Sequence, residues 1–443
     1  MSDIISRVQE LSPSDRVAVK ALATVAQDLP PPEHADAFGS AFAGFGGAEL
    51  VLLGEATHGT SEFYRARAAI SRYLIQNHGF NIIAVEADWP DAQRLDRYTR
   101  HLAPEPSRDQ AFARFPSWMW RNLEVLEFTD WLREENSRRS SADRVEFRGL
   151  DLYSLSSSIA AVLAYLDRVD PEAAKEARRR YSCLTPWQGE PSRYGHYATM
   201  GGETCEQEAC DQLIVLLKNR LSYAARDGEH FFNAAQNARV VRTAERYYRT
   251  MYQGARESWN LRDRHMFETL QMLLSHRPKG KAIVWAHNSH IGNAAATSMG
   301  WEGEFNIGEL CRTAYGNDMV AIGFGTDRGT VAAASNWDEP MEIKTVLPAR
   351  ADSYEHLFRR AGHERALFDW RGRSDLRELL AEPRLERAIG VVYRPDTEFL
   401  SHYFRAVMSE QFDAIVWFEN SRAVTPLSHE HWAGKIETYP SGL

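Results

Sequence analysis

Short apolar runs recur along the chain and are separated by segments with helical periodicity. Runs of four or five consecutive apolar residues are typical of strands that are buried on both faces of a sheet. The sequence predicts such strands at residues 49–53, 82–85, 145–150, 282–286 and 320–324, with further strands at 343–347, 389–393 and 414–418.

The segments between the first strands have the spacing of amphipathic helices. This spacing predicts helices over residues 61–78, 89–101 and 123–139. The first dozen residues predict a short amphipathic helix, and residues 29–34, with three prolines, predict a linker. Strands that alternate with helices in this way indicate an α/β fold with a mostly parallel central sheet flanked by helices.

The strand pattern disappears over residues 156–278, where Ala, Arg and Glu are frequent and β-branched runs are few. This segment predicts a large helical insertion that forms a lobe over the cleft of the α/β core. The expected organisation is a first part of the core at 1–155, the helical lobe at 156–280 and a second part of the core at 281–443.

Composition and charge narrow the class of protein. The 443 residues carry 52 Lys and Arg against 61 Asp and Glu, a formal net charge of -9, which argues against a nucleic-acid binder. No apolar stretch approaches the ~20 residues of a membrane helix, and the amino terminus lacks the apolar region of a signal peptide. The cysteines form no C-x-x-C pair and suit neither a zinc ribbon nor a disulfide framework. We therefore expect a reduced, cytoplasmic protein.

Polar residues that follow the predicted buried strands are the main indication of chemistry. Because ligands bind outside the carboxyl ends of parallel strands, side chains at these ends should meet in one cleft. The residues are Glu55 and His58 after the first strand, Glu86 after the second, Asp151 after the third, and His287 and His290 after the fourth. Each alone fits a structural role, but buried carboxylates are costly, and their clustering favours a functional site.

These residue types suit acid–base chemistry. A neutral histidine is the natural general base near neutral pH, so His58 is the candidate base, and Glu55 or Glu86 would orient it. His287 and His290 would donate to a developing oxyanion or to a leaving group.

Two arginines, Arg65 and Arg67, lie on the helix predicted after the first strand. An arginine directed at the cleft would hold an oxyanion or a substrate carboxylate, whereas Arg65 would alternatively pair with Glu62 on the same helix.

Two other kinds of site fit the same residues. Glu86, His287 and His290 together offer one oxygen and two nitrogens to a metal ion, as in a metal-dependent hydrolase or peptidase. The histidines and the many tryptophans also fit a non-enzymatic protein that binds haem or a similar small molecule. By contrast, the sequence contains neither the G-x-S-x-G motif of a serine hydrolase nor a P-loop.

The strand-end residues belong to longer motifs, which together resemble the erythromycin esterase family. The motifs lie within about residues 50–325 and include G-E-A-T-H-G at 54–59, V-E-A-D-W-P at 85–90, G-L-D at 149–151, N-L-R-D-R-H-M at 260–266 and W-A-H-N-S-H at 285–290. Their spelling looks closer to the broad branch of the family, whose members are often described as succinoglycan-biosynthesis-like, than to the antibiotic-resistance enzymes.

The resemblance implies a hydrolase of a small-molecule ester or lactone, since the family's resistance members open the macrolactone of erythromycin-type antibiotics. It implies that His58 activates water without a covalent enzyme intermediate, an essential metal or another cofactor. The family's other functional residues correspond to Glu55, Glu86, Arg67, His287 and His290. Further candidates for substrate binding are Arg65, Asp151, Trp187, Tyr194 and Trp259, of which the aromatic residues would line a pocket or pack in the core.

Overall fold

The structure, a computed structural model, describes residues 11–112, 118–336 and 339–427. The helix that the sequence predicts over the first dozen residues lies almost wholly outside these ranges.

The strands of the described residues follow the predicted runs closely in the first half of the chain. They are β1 (Gln27–Asp28), β2 (Leu50–Leu53), β3 (Ile82–Asp88), β4 (Glu146–Asp151), β5 (Ala282–Trp285), β6 (Met319–Ala333), β7 (Glu342–Val346), β8 (Arg365–Asp369), β9 (Arg384–Arg387), β10 (Tyr403–Ala406) and β11 (Ala414–Ser421).

The helices that flank the strands include the predicted ones, with ends that differ by no more than two residues. The helices are α1 (Pro13–Val25), α2 (Ala35–Ser40), α3 (Ser61–His78), α4 (Trp89–Thr99), α5 (Arg108–Phe112), α6 (Leu123–Ser137), α7 (Leu155–Val169), α8 (Pro171–Tyr181), α9 (Pro191–Thr199), α10 (Glu206–Lys218), α11 (Arg220–Thr250), α12 (Ala255–His276), α13 (Asn288–Ile291), α14 (Ser298–Trp301), α15 (Ile307–Tyr315), α16 (Tyr354–Ala361), α17 (Ser374–Leu379), α18 (Glu398–Ser401) and α19 (Met408–Gln411). Short 3₁₀ turns occur at Ala43–Phe45, Ser182–Trp187, Ala294–Ala296, Gly316–Asp318 and Pro395–Thr397. Helix α11 has a kink at Asp227, where the backbone leaves helical geometry.

Nine strands of the described residues form one sheet in the order β1-β8-β11-β6-β2-β5-β3-β4, and β7 pairs with β6 beside this path. The strands from β11 to β4 are parallel to their neighbours. The pairs β1 with β8, β8 with β11 and β6 with β7 are antiparallel. The predicted α/β fold with a mostly parallel central sheet and flanking helices is therefore confirmed.

The position of β5 decides which residues meet. This strand lies between β2 and β3, although the helices from α7 to α12 separate it from them along the chain. No strand occurs in the described segment between β4 and β5, in agreement with the helical composition of residues 156–278. None of the described helices is both long and apolar enough to cross a membrane.

The sheet separates two apolar cores, because alternate side chains of each strand point to opposite faces. Val51 and Leu53 of β2 face α2, α3 and α6, whereas Leu50 and Leu52 face α12, α15 and α16. The helices α7 to α11 enclose a third apolar core of their own. Helix α12 extends from this lobe to the sheet, where Met266, Leu270 and Leu273 join the second core.

The strand predicted at residues 389–393 is wrong. Ile389 and Val392 form only isolated bridges, to Thr57 and Ala334. The regular strand nearby is β9, which ends at Arg387 and pairs with β10 in a separate two-stranded sheet. The apolar run has another cause, since Ile389 and Tyr393 fill a small core beside β6 and β7. The apolar runs also did not predict β1, β8, β9 and β10, of which β8 adds antiparallel pairing to the sheet.

The expectation that all four cysteines are unpaired is also wrong, because Cys183 and Cys205 form a disulfide. The sequence separation of 22 residues suggested no framework, but α9 folds back within the lobe and brings the two Cα atoms to 6.0 Å. Cys210 and Cys311 are free.

Gly59, at the end of the loop after β2, packs against the backbone of β6. Its carbonyl accepts the N–H of Ala332 over 3.1 Å, and a Cβ atom on Gly59 would lie 2.0 Å from the carbonyl oxygen of Ala332. The glycine therefore allows the loop to approach a neighbouring strand more closely than any larger residue would.

We expect Gly59→Ala to lower the free energy of unfolding by about 1–3 kcal/mol, because the added methyl group overlaps backbone that cannot move freely. Urea denaturation followed by tryptophan fluorescence measures this. The matched control is Gly47→Ala, where a Cβ would have no neighbour within 4 Å. Equal stability of the two variants would contradict the packing argument.

Candidate active site

The carboxyl ends of β2, β3 and β5 meet at one edge of the sheet because the strands are parallel and in register. Leu53 of β2 pairs with Trp285 of β5, which in turn pairs with Val85 of β3. Residues that follow these positions are thereby placed side by side. The histidines after β5 consequently lie between Glu55 and Glu86.

Glu55, His58 and Arg67 form a buried chain of hydrogen bonds. Oε1 of Glu55 lies 2.9 Å from Nδ1 of His58, and Nη2 of Arg67 donates to Oε2 of Glu55 over 2.7 Å. Arg67 is fully buried, and its guanidinium carbon lies 4.4 Å from the centre of the Tyr64 ring. Because the Glu55 carboxylate accepts the Nδ1 proton, the neutral His58 ring has its acceptor lone pair on Nε2.

Arg262 of α12 connects the ends of β3 and β4. Its Nη2 donates to Oε1 of Glu86 over 2.8 Å and to Oδ2 of Asp151 over 2.7 Å, and its Nε donates to Oδ1 of Asp151 over 3.1 Å. Burial by itself raises the pKa of Glu86, but His290 and Arg262 outweigh this and hold that pKa well below its ordinary value. Glu86 is therefore an ionised carboxylate at neutral pH.

The ring of His287 is fixed in one tautomer. Its Nδ1 accepts the N–H of Ser289 over 3.2 Å and lies 2.8 Å from the Ser289 hydroxyl oxygen, so the proton of the neutral ring is on Nε2. Burial and the nearby His58 hold the pKa of His287 well below its ordinary value, while Glu86 and the Ala56 carbonyl act in the opposite direction. His287 is therefore a neutral N–H donor.

His287 stands directly beside the candidate base. The centres of the His58 and His287 rings are 4.9 Å apart. Nε2 of His287 is buried and makes no hydrogen bond of standard geometry with a described residue, although the Ala56 carbonyl interacts weakly with the ring. Because a buried N–H without such a hydrogen bond is costly, this atom is available to a bound ligand.

His290 is held by two consecutive residues of α12. Its Nδ1 lies 2.9 and 3.0 Å from the carboxylate oxygens of Asp263, and its Nε2 lies 2.8 Å from Nη1 of Arg262. The ring stacks on Trp259 with a centre-to-centre distance of 4.4 Å. Burial by itself lowers the pKa of His290, but Asp263 and Glu86 outweigh it and raise the pKa to about 9.

Three predicted substrate-binding residues lie away from this cluster. Trp187 and Tyr194 pack within the lobe, where the Tyr194 hydroxyl donates to Glu245. Arg65 donates to Glu127 of α6 over 2.7 Å, rather than to its helix neighbour Glu62. The structure thus brings together all six predicted catalytic residues with Asp151 and Trp259, but not these three.

Arg262, Asp263 and Ser289 contact the cluster but were absent from the predicted site. All three lie inside motifs that carry the family resemblance, N-L-R-D-R-H-M and W-A-H-N-S-H. The motifs therefore contained the information needed to include these residues in the predicted site. Arg262 and Asp263 lie in the helical segment, however, and a rule based on strand ends does not reach them.

Two of the three residues of the alternative metal site, Glu86 and His290, are engaged with protein groups. Glu86 accepts from Arg262 and from the backbone N–H of His287, and each nitrogen of His290 faces a residue of α12. Within residues 11–112, 118–336 and 339–427, no group of three or more His, Cys, Asp or Glu side chains is arranged to hold a metal ion.

Comparisons with known proteins bear on the family and the fold of this chain. The chain is 22% identical over 404 residues to the YbfO protein of Bacillus subtilis (strain 168), a match that covers 86% of this chain and 84% of that protein. It is 23% identical over 268 residues to erythromycin esterase type I of Escherichia coli, covering 57% of this chain and 64% of that protein.

A crystal structure described as a succinoglycan biosynthesis protein has the same fold, with a TM-score of 0.78 and 21% identity over 94% of this chain and 100% of that one. The family model described as erythromycin esterase matches residues 75–421. This match confirms the resemblance that the motifs indicated, and it supports a hydrolase of the esterase type. The chain belongs to the erythromycin esterase family.

Proposed function

We propose that this protein hydrolyses an ester or lactone of a small molecule by attack of a water molecule that His58 activates. The hydrogen bond of 2.9 Å between Nδ1 of His58 and Glu55 carries the proposal, because it leaves Nε2 as the proton acceptor. A base must lie within hydrogen-bond reach of the water that it deprotonates, and Nε2 of this ring makes no hydrogen bond to the part of the chain that the structure describes.

Glu55 has two tasks in this scheme. Its carboxylate orients the His58 ring and stabilises the imidazolium that forms when His58 takes the proton from water. Arg67 in turn fixes Glu55, since Nη2 donates to the carboxylate oxygen that His58 does not use. The buried chain Arg67–Glu55–His58 therefore holds the base in one orientation before substrate binds.

The oxyanion of the tetrahedral intermediate needs a donor that is already in place. His287 supplies one, because its neutral Nε2–H is buried, makes no hydrogen bond of standard geometry with a described residue and lies next to His58. A preorganised donor of this kind stabilises charge that develops only in the transition state. The proton on His58 then passes to the leaving alkoxide, so that the products are a carboxylic acid and an alcohol.

The names of the esterase relatives extend the proposal to macrolactones as one substrate class. A screen of macrolides, simple lactones and aryl acetates by mass spectrometry tests this. Addition of one water to a compound class would identify the substrate, and the absence of hydrolysis in every class would contradict an esterase.

We expect His58→Ala to reduce kcat by about 10²–10⁴, because the reaction loses its positioned base. Initial rates on any ester that the wild-type enzyme accepts measure the effect. His363→Ala is the matched control, since His363 lies far along the chain and pairs with Asp28 instead. A His58→Ala enzyme with wild-type turnover would refute the proposed base.

We expect His287→Leu to reduce kcat by about 10²–10³, because the oxyanion loses its preorganised donor. The pH profile of kcat should keep its wild-type shape. Since the pKa of His287 lies well below its ordinary value, this ring takes up no proton between about pH 6 and 8 and contributes no inflection there. An acid limb that disappears in His287→Leu would assign the titrating base to His287 instead.

The proposed chemistry predicts that activity survives removal of divalent metals. Prolonged dialysis against a chelator, followed by metal analysis and initial-rate measurements, checks this. Unchanged turnover is expected because water is activated by His58. Loss of turnover that zinc restores would favour a metal-dependent hydrolase built on Glu86, His287 and His290.

A further inference from the structure

We infer that Asp263 is the positioning residue for His290, so that the site contains a second carboxylate–histidine pair, which helix α12 of the lobe supplies. The two carboxylate oxygens of Asp263 lie 2.9 and 3.0 Å from Nδ1 of His290, and both side chains are buried. The effect of this pair on catalysis rests on the proposed hydrolysis. The existence of the pair does not depend on that proposal.

The two pairs of the site are built differently. Glu55 and His58 lie three residues apart in one loop, so the loop alone brings them together. Asp263 and His290 belong to different elements, and their contact exists only when α12 is docked on the edge of the sheet. The second pair therefore depends on the position of α12 relative to the sheet.

Asp263 is held at a second point, which fixes its orientation. Its Oδ1 accepts the backbone N–H of Ile307, the first residue of α15, over 3.0 Å. Oδ1 thus accepts both this backbone N–H and the Nδ1 proton of His290, and Oδ2 lies 3.0 Å from the same nitrogen. A carboxylate held in this way accepts the Nδ1 proton and leaves Nε2 to face the interior of the site.

Charged groups face His290 from each element packed against it. Asp263 and Arg262 lie on α12, Glu86 lies near the end of β3, and His287 caps α13, the short helix that carries His290. In the neutral ring, Nε2 accepts from Nη1 of Arg262. In the protonated ring, Nε2–H faces Oε1 of Glu86, which is 3.3 Å away. Asp263 accepts from Nδ1–H in both states, so it sets the tautomer and favours the charged form.

The variant Asp263→Asn tests this assignment with little change in shape. The amide oxygen takes the place of Oδ1 and keeps its contacts with the Ile307 N–H and with Nδ1 of His290, and the amide NH₂ takes the place of Oδ2. The neutral amide no longer compensates a positive charge on the His290 ring, whereas Nη1 of Arg262 remains 2.8 Å from Nε2. We expect the His290 titration midpoint to fall by at least about one pH unit, because the ring loses an adjacent carboxylate.

The measurement is ¹⁵N NMR of histidine-labelled protein over a pH series, with the His290 signals assigned by their loss in His290→Gln. In the wild type, Nδ1 of His290 should carry a proton throughout the pH series; in Asp263→Asn the ring should become neutral at a lower pH than in the wild type. Turnover of an activated aryl acetate should fall about 10–100-fold in kcat with KM nearly unchanged. The control Glu268→Gln removes one charge from the exposed face of the same helix and should change neither result.

A wild-type His290 whose Nδ1 carries no proton would overturn the inference, and this spectrum decides the question even if Asp263→Asn does not fold. An unchanged midpoint in a folded Asp263→Asn protein would overturn it equally. The proposed function fails separately: if the wild-type protein hydrolyses no ester while the NMR results are as expected, the Asp263–His290 pair stands and only the reaction is wrong.

Discussion

The site depends on the compensation of buried negative charge at one edge of the sheet. Glu86 and Asp151 are brought there by adjacent parallel strands, and an uncompensated buried carboxylate is costly. Arg262 meets this requirement, because a single guanidinium donates to both carboxylates and to His290. Its planar fork of donors suits this bridging role in a way that a lysine ammonium would not.

This compensation links the helical lobe to the α/β core. Arg262 and Asp263 belong to α12, which begins in the lobe and ends beneath the sheet. The buried ends of the strands are therefore stabilised from outside the core, and α12 completes the electrostatics of the site. Arg67, which lies in the core itself, compensates the buried charge of Glu55 in the same way.

The fold could largely be predicted from the sequence where strands are buried on both faces, because such strands appear in the sequence as continuous apolar runs. The runs at β2, β3 and β5 are examples. The same rule failed at residues 389–393, where apolar side chains fill a local core without forming a ladder. It also missed β8, whose Arg365 and Asp369 interrupt the run at its two ends.

Much of the candidate site could also be predicted from the sequence. Residues directly after a buried parallel strand must lie at its carboxyl edge, so Glu55, His58, Glu86, His287 and His290 were identified from their position in the chain. Aromatic residues in the lobe offered no such constraint. Trp259 reached the site and Trp187 did not.

The sequence by itself determined the residue types of the site, the strands that deliver them and the family, because each of these is written in local pattern and motif. Only the tertiary structure decided the partners: β5 inserts between β2 and β3, Glu55 rather than Glu86 contacts His58, and α12 brings Arg262 and Asp263 to His290. The physical reason is that pairing between distant segments depends on how strands order and how a helix docks. Those choices minimise buried charge and apolar exposure over the whole molecule, and no local stretch of sequence records them.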